Sequence, residues 1–176
     1  MMRRRWRSLV PGLVLALPAA LMGQSPPPAP TVLFAPHMQK ALDTTYGPSE
    51  AAVLQQTVSK PVAEALRGER CEGIAAIEIT LLDARPTHPT DRQIGDNPAL
   101  DRLRTHFAGG ASFSVRLLDA QGRELKSLRY DHYAQDLRLG SRAADPWADV
   151  RLASEGLGME LAHTCRALAR SRPKAS

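Results

Sequence analysis

The sequence predicts an α+β domain, a two-layer sandwich in the order β-α-β-β-β-α with a mainly antiparallel sheet and two helices on one sheet face. Three observations carry this expectation. Apolar residues recur with period two over residues 75–83 and 111–117, the pattern of half-buried strands. They recur at three-and-four spacing between Leu54 and Leu66 and between Trp147 and Leu168, the pattern of helices with one apolar face. A compact turn, Asp119-Ala120-Gln121-Gly122, joins the last two strands, with Gly122 free to take positive φ.

Taken in order, residues 31–34 form a short apolar strand ended by Pro36. A polar stretch follows through Asp43, Thr44, Thr45 and Gly47-Pro48, and Ser49 stands where a helix wants an N-cap. Leu54, Val58, Val62, Ala65 and Leu66 make the buried face of the first helix, which Gly68 ends. Pro61 has no backbone donor, so a kink, or a restart capped by Ser59, is expected there. In the next strand Ala75, Ile77, Ile79 and Leu81 share one face, with Glu78 and Thr80 on the other. Ala111, Phe113, Val115 and Leu117 repeat the pattern against Ser112, Ser114 and Arg116, and the last strand runs over about residues 123–134. Asp145-Pro146 starts the second helix, a capping carboxylate followed by proline at the first helical position. Trp147, Val150, Leu157, Leu161 and Leu168 form its inward face. Gly156 and Gly158 each weaken it by about 1 kcal/mol relative to Ala, which points to close packing against the sheet.

The domain is preceded by an address. Arg3, Arg4, Arg5 and Arg7 stand before an apolar run over residues 9–22, and Ala19, Ala20 and Gly23 follow where a signal peptidase cuts. A spanning helix needs roughly 20 apolar residues. This run is shorter and carries Pro11 and Pro18, so a cleaved signal peptide is expected over residues 1–23, leaving no stable membrane anchor. The cut falls after Ala20 or Gly23. No cysteine near it would carry a lipid, and the rest of a twin-arginine signal is missing, which leaves general secretion to the periplasm. Residues 24–30 (Gln-Ser-Pro-Pro-Pro-Ala-Pro) read as an extended linker, residues 31–170 as one domain with a real core, and residues 171–176 as a basic, disordered tail.

Charge narrows the partners. Four of the 23 Lys and Arg precede residue 24 and none of the 18 acids do, so the exported chain carries 19 against 18, a net +1. Arg166, Arg170, Arg172 and Lys174 crowd its end, leaving the remainder at −3. Nucleic acid is not an expected partner, because phosphate binding needs many clustered cations.

Cys71 lies just past the first helix and Cys165 one turn beyond Leu161 on the inward face of the last. In an oxidising compartment such a pair is expected to be joined, the alternative being two buried free thiols. Closing the loop between them would stabilise by roughly 4–5 kcal/mol on the chain-entropy model. Without a Cys-x-x-Cys spacing the bond is a staple rather than a redox centre.

Candidate chemistry is thin. Residues 84–110 separate two strands and are too long for a hairpin, and such loops tend to be functional or disordered. Their prolines make them stiff, either closing over a ligand or wrapping the sheet edge. His88, Asp91 and Arg92 are the expected partner-binding residues there, exposed and solvated. His88 with Asp91 falls short of a metal site, which needs three or four converging ligands. In Tyr130-Asp131-His132-Tyr133, Tyr130 and His132 share one strand face and Asp131 and Tyr133 the other. No Gly-x-Ser-x-Gly elbow, His-Glu-x-x-His pair or phosphate-cradling glycine loop is present. No catalytic residue, cofactor or metal is assigned.

The runs Thr80-Leu81-Leu82-Asp83-Ala84-Arg85-Pro86, Gly109-Gly110-Ala111, Tyr130-Asp131-His132-Tyr133-Ala134-Gln135-Asp136 and Trp147-Ala148-Asp149 resemble those of an uncharacterised family of small proteobacterial periplasmic proteins. The general plan is similar to the small α/β envelope accessory domains associated with outer-membrane and transport machinery. The resemblance covers most of residues 31–170 and implies export and an α/β fold. It brings no activity and no functional residues. Two readings follow from the residues. One is a non-enzymatic envelope accessory or binding module, whose 84–110 loop and exposed sheet edge meet an envelope protein or ligand. The other is a small periplasmic hydrolase using carboxylates such as Asp83, Asp91 or Asp131, which would need two of them within about 6–9 Å in a deep pocket.

The export reading has a direct test. Intact-mass measurement on protein from the periplasmic fraction is expected to show a chain shortened by 20 or 23 residues, the two cuts identified above. A membrane-associated species starting at Met1 or Met2 would refute it.

Overall fold

Four strands form one sheet in the order β1-β2-β3-β4: β1 (Pro30–Phe34), β2 (Ala76–Arg85), β3 (Gly110–Leu118) and β4 (Glu124–Tyr133). β1 runs parallel to β2, and the other two pairings are antiparallel. The structure, a computed structural model, describes residues 26–135 and 145–171. The signal segment over residues 1–23 and the tail beyond Ser171 lie outside the described residues. β1 begins at Pro30, inside the expected linker, and the last helix runs through Ser171, the first residue of the expected tail.

The period-two reading of the strands holds. Ile77, Ile79 and Leu81 of β2 and Ala111, Phe113, Val115 and Leu117 of β3 are buried in one core with Trp147, Val150, Leu157 and Leu161. Asp119 holds the hairpin turn: its carboxylate accepts from the N–H groups of Gln121 and Arg123, each at 2.9 Å, and Gly122 takes φ 74°. Hydrogen bonding from the Arg123 backbone, more than any other influence, holds the Asp119 carboxyl below its ordinary range.

Between β1 and the first long helix the chain departs from the polar loop that was expected. Pro36 opens a short helix α1 (Pro36–Ala41), and a π-helical turn follows over Leu42–Tyr46. Proline suits that first position because its missing N–H would be unbonded there anyway. Met38 and Leu42, four apart, are the buried residues that fix this segment to the core. Helix α2 (Glu50–Leu66) then runs unbroken, with Pro61 inside it and no restart at Ser59. Ser49 does not cap it; its backbone is already helical and its side chain makes no cap bond.

α2 and the last helix, α4 (Ala148–Ser171), lie side by side on the sheet and run parallel, as three contacts along their length show. Near the N-termini Trp147 Nε1 donates to Glu50 Oε2 at 2.7 Å. At mid-length α4 presses on α2 through Gly158: a β-carbon there would stand 2.7 Å from Ala65 Cβ and 3.3 Å from the Pro61 carbonyl oxygen. Near the C-termini Cys71 and Cys165 are bonded, with Cα atoms 4.7 Å apart, within the range disulfides allow. Gly158 therefore serves helix–helix contact, not contact with the sheet as expected. Gly156 does meet the sheet, since a β-carbon there would collide with the Tyr130 hydroxyl of β4. Just before α4, Asp145 Oδ1 accepts from the Trp147 N–H at 2.9 Å, the bond expected of the Asp-Pro signal, but the helix itself begins at Ala148 rather than at Pro146.

The Gly158 contact sets helix propensity against packing. Gly158→Ala gains about 1 kcal/mol of propensity, but overpacking between two helix backbones costs about 1–3 kcal/mol. A net loss of about 1 kcal/mol is expected in urea denaturation. Adding Ala65→Gly, which removes the opposing β-carbon, is expected to make Gly158→Ala less costly than it is alone.

Candidate functional site

The end of the sheet where β2 leaves it gathers most of the polar side chains. An irregularity between Leu81 and Asp83 inserts Leu82 as an extra residue, so Asp83 pairs with Ser112 while Ala84 returns to the core opposite Ala111. Strict alternation after Leu81 would have sent Asp83 inward; the bulge re-aims it to the outer face. There Asp83 Oδ2 accepts from the Tyr133 hydroxyl at 2.8 Å and lies 3.3 Å from Arg85 Nε. The Arg85 guanidinium carbon sits 4.8 Å over the Tyr133 ring, within cation–π range. Burial, then the hydrogen bond to Asp83, pushes the Tyr133 phenol well above its ordinary value, and burial does the same to Tyr46. Both phenols hold their protons at neutral pH. The Tyr133 hydroxyl serves here as a hydrogen-bond donor and its ring as a platform for Arg85, and the Tyr46 ring packs edge-on against Trp147.

Behind this cluster, Thr87 ties three segments together. Its N–H donates to the Pro146 carbonyl at 2.7 Å, its carbonyl accepts from the Phe107 N–H at 2.8 Å, and its hydroxyl oxygen accepts from the Asp149 N–H at 3.0 Å. That last bond caps α4 from 62 residues away in sequence. Asp149 lies buried in the first turn of the helix, and its Oδ2 has no hydrogen-bond partner among the described residues. The positive end of the helix dipole offsets the cost of placing a carboxylate there.

This arrangement corrects the reading of the 84–110 loop. His88 is not a solvated loop residue. It is 1% exposed, and residues 86–90 are all buried. The His88 ring packs 4.5 Å from that of His106, centroid to centroid. Nor is the loop without structure of its own, for α3 (Asp91–Asp96) opens with a capping box in which Thr90 and Gln93 bond reciprocally. Thr-x-x-Gln is a sequence signature of such a start, and Thr90-Asp91-Arg92-Gln93 carried it in plain view. Asp91 and Arg92 are exposed as expected, Asp91 in an ion pair with Arg102 and Arg92 with Asp96 at 3.4 Å. Surface pairs of this kind contribute about 0–1 kcal/mol. Among the described residues, no group of three or more His, Cys, Asp and Glu is placed to hold a metal ion.

Of the carboxylates named for a hydrolase, Asp83 and Asp131 share the outer face of the sheet. Asp83, Ser112 and Asp131 form one row across β2, β3 and β4, which puts the two aspartate backbones roughly 10 Å apart at the usual strand spacing. Asp91 stands apart on α3. A groove of about 480 Å³ lies between α2 and α4, lined by residues including Val53, Lys60, Pro61, Glu64, Arg151 and Glu155. It holds none of the three aspartates.

Strand β4 occupies one edge of the sheet, and among the described residues nothing pairs with its far side. Six of its ten residues are exposed, among them Arg129 and Asp131 on the outer face. No protein-family model matches the chain, and no curated protein or solved structure is detectably similar to it.

The two halves of the loop are expected to respond differently to substitution. Thr87→Ala and His88→Ala should each destabilise the domain by about 1–3 kcal/mol, through a lost cap or a new cavity. Asp91→Ala and Arg92→Ala should stay within about 0.5 kcal/mol. Urea midpoints of the four variants test this directly.

Proposed function

We propose that this chain is an exported, non-enzymatic binding module of the bacterial cell envelope, and that it recognises its partner through the free edge of β4, with the exposed rim around α3 as a second contact. The carrying observation is β4 itself, a ten-residue edge strand whose outward backbone groups lack a neighbouring strand among the described residues. An edge of this kind is a template for adding another strand, main-chain hydrogen bonds supplying affinity and alternate side chains supplying specificity. The end of the 84–110 loop meets β4, because Ala134 donates to the Gly109 carbonyl, while α3 packs against the π-helical turn at the same end of the sheet. Within that rim Asp91 and Arg92 remain the partner-facing candidates, while His88 belongs to the support beneath them. The disulfide fits the oxidising periplasm, and no helix among the described residues is long and apolar enough to cross a membrane.

Site-specific photo-crosslinking in living cells tests the proposal. A photoreactive residue at position 92 or 129 is expected to give defined adducts. The same residue at Gln56, in the groove between α2 and α4, is expected to give none. Equal labelling at all three positions, or none at 92 and 129, would reject the reading.

A further inference from the structure

We infer that β4 pairs with β4 of a second copy of this chain, antiparallel, in the register centred on Tyr130. This rests on the reading of β4 as a recognition edge and names its partner. Outward residues of the strand are Ser127, Arg129, Asp131 and Tyr133, since they sit opposite Arg116, Ser114, Ser112 and Gly110 of β3. A two-fold antiparallel pairing places outward residues opposite outward residues, so only a few registers are available. Centring on Arg129 sets Arg129 against itself, and centring on Asp131 sets Asp131 against itself. Like charges directly opposite are destabilising. Centring on Leu128 puts Ser127 opposite Arg129 and leaves both charges without an opposite partner. Centring on Tyr130 places Arg129 opposite Asp131 of the partner subunit and Asp131 opposite Arg129 of the partner subunit, two ion pairs from one symmetric contact. Arg129 and Asp131 are exposed and form no ion pair among the described residues; a second copy supplies counter-charges for both.

A second feature agrees with this register. Edge strands are ordinarily guarded against pairing by lysine, proline or a bulge. β4 has such guards only at its start, where Lys126 lies beside the irregularity at Leu117/Leu118. Residues 127–133, the span the register uses, contain neither lysine nor proline. The charges that this part of the edge does carry, Arg129 and Asp131, are opposite in sign, so they guard it against other strands while matching a second copy in this register. Pairing there would join the two four-stranded sheets into one.

Charge exchange tests this on the mature exported protein, with analytical ultracentrifugation over a concentration series. The wild type is expected to be dimeric. Arg129→Asp and Asp131→Arg are each expected to weaken self-association about tenfold or more, because each places like charges opposite one another twice. The two variants mixed are expected to associate as the wild type does, since one copy then carries two acids and the other two bases. Unchanged far-UV circular dichroism would show that the exposed substitutions leave the fold intact. A wild type that stays monomeric at every concentration would overturn the inference, as would single variants that self-associate unchanged or a mixture that fails to recover. If the wild type is monomeric and Asp131→Arg still loses crosslinks at position 129, the edge serves a strand from another protein, and only self-pairing falls. If those crosslinks are unaffected too, the reading of β4 as a recognition edge falls with it.

Discussion

Two parallel helices laid on one face of a four-stranded sheet must be held to each other as well as to the strands, and here they are fastened at both ends. The Trp147–Glu50 hydrogen bond joins their starts and the Cys71–Cys165 bond joins the region beyond their ends. Between these points, the missing β-carbon of Gly158 lets the backbones approach at Pro61, Val62 and Ala65. The indole hydrogen bond also satisfies the one polar atom of a fully buried Trp147, which would otherwise be costly to bury. Tyr46 meets the same indole edge-on at 5.3 Å. The π-helical turn is thereby drawn against the helix pair. Because the disulfide spans 94 residues, it limits the unfolded chain far more than a local bridge would.

With the inner face occupied, the chemistry left to the molecule lies on the outer face and at one sheet end. The bulge at Leu82 connects the two regions. By adding one residue it sends Asp83 outward to Tyr133 and Arg85 and returns Ala84 to the core. The chain then dives under α4, where Thr87 supplies the helix with a cap from a distant segment. The loop that follows is therefore two things in succession. Residues 86–90 are buried support, and the residues from Asp91 onward form an exposed rim carried by a short capped helix. A surface of this kind is suited to recognition: its phenols keep their protons, and its ion pairs are solvated.

The sheet edge gives that surface a direction. β1, the opposite edge, is five residues long, and short edge strands are poor templates. β4 is twice that length and carries charges of both signs. On the adjoining outer face Arg116 is held between Glu78 and Glu124 at 3.1 and 2.9 Å. That charge is satisfied within the domain, whereas Arg129 and Asp131 have no ion pair among the described residues.

Local signals in the sequence determined every strand, both long helices, the hairpin turn, the Asp145 bond ahead of the last helix and the cysteine pairing. Each depends on periodicity, on a cap or turn residue, or on there being only two cysteines to join. Short elements with sparse signals were harder to read. Met38 is the one buried residue of α1 and Leu42 that of the π-helical turn, and the Thr90–Gln93 box opens a helix with none. What only the tertiary structure decided are features that depend on partners distant in the chain. His88 is buried, with its ring against that of His106 eighteen positions on, which nothing in Thr-His-Pro foretells. Gly158 faces α2 rather than the sheet because helix-to-helix spacing, not helical period, sets the contact. Asp83 points outward because one strand carries an extra residue relative to its neighbour, and a register is a property of two strands that neither contains alone.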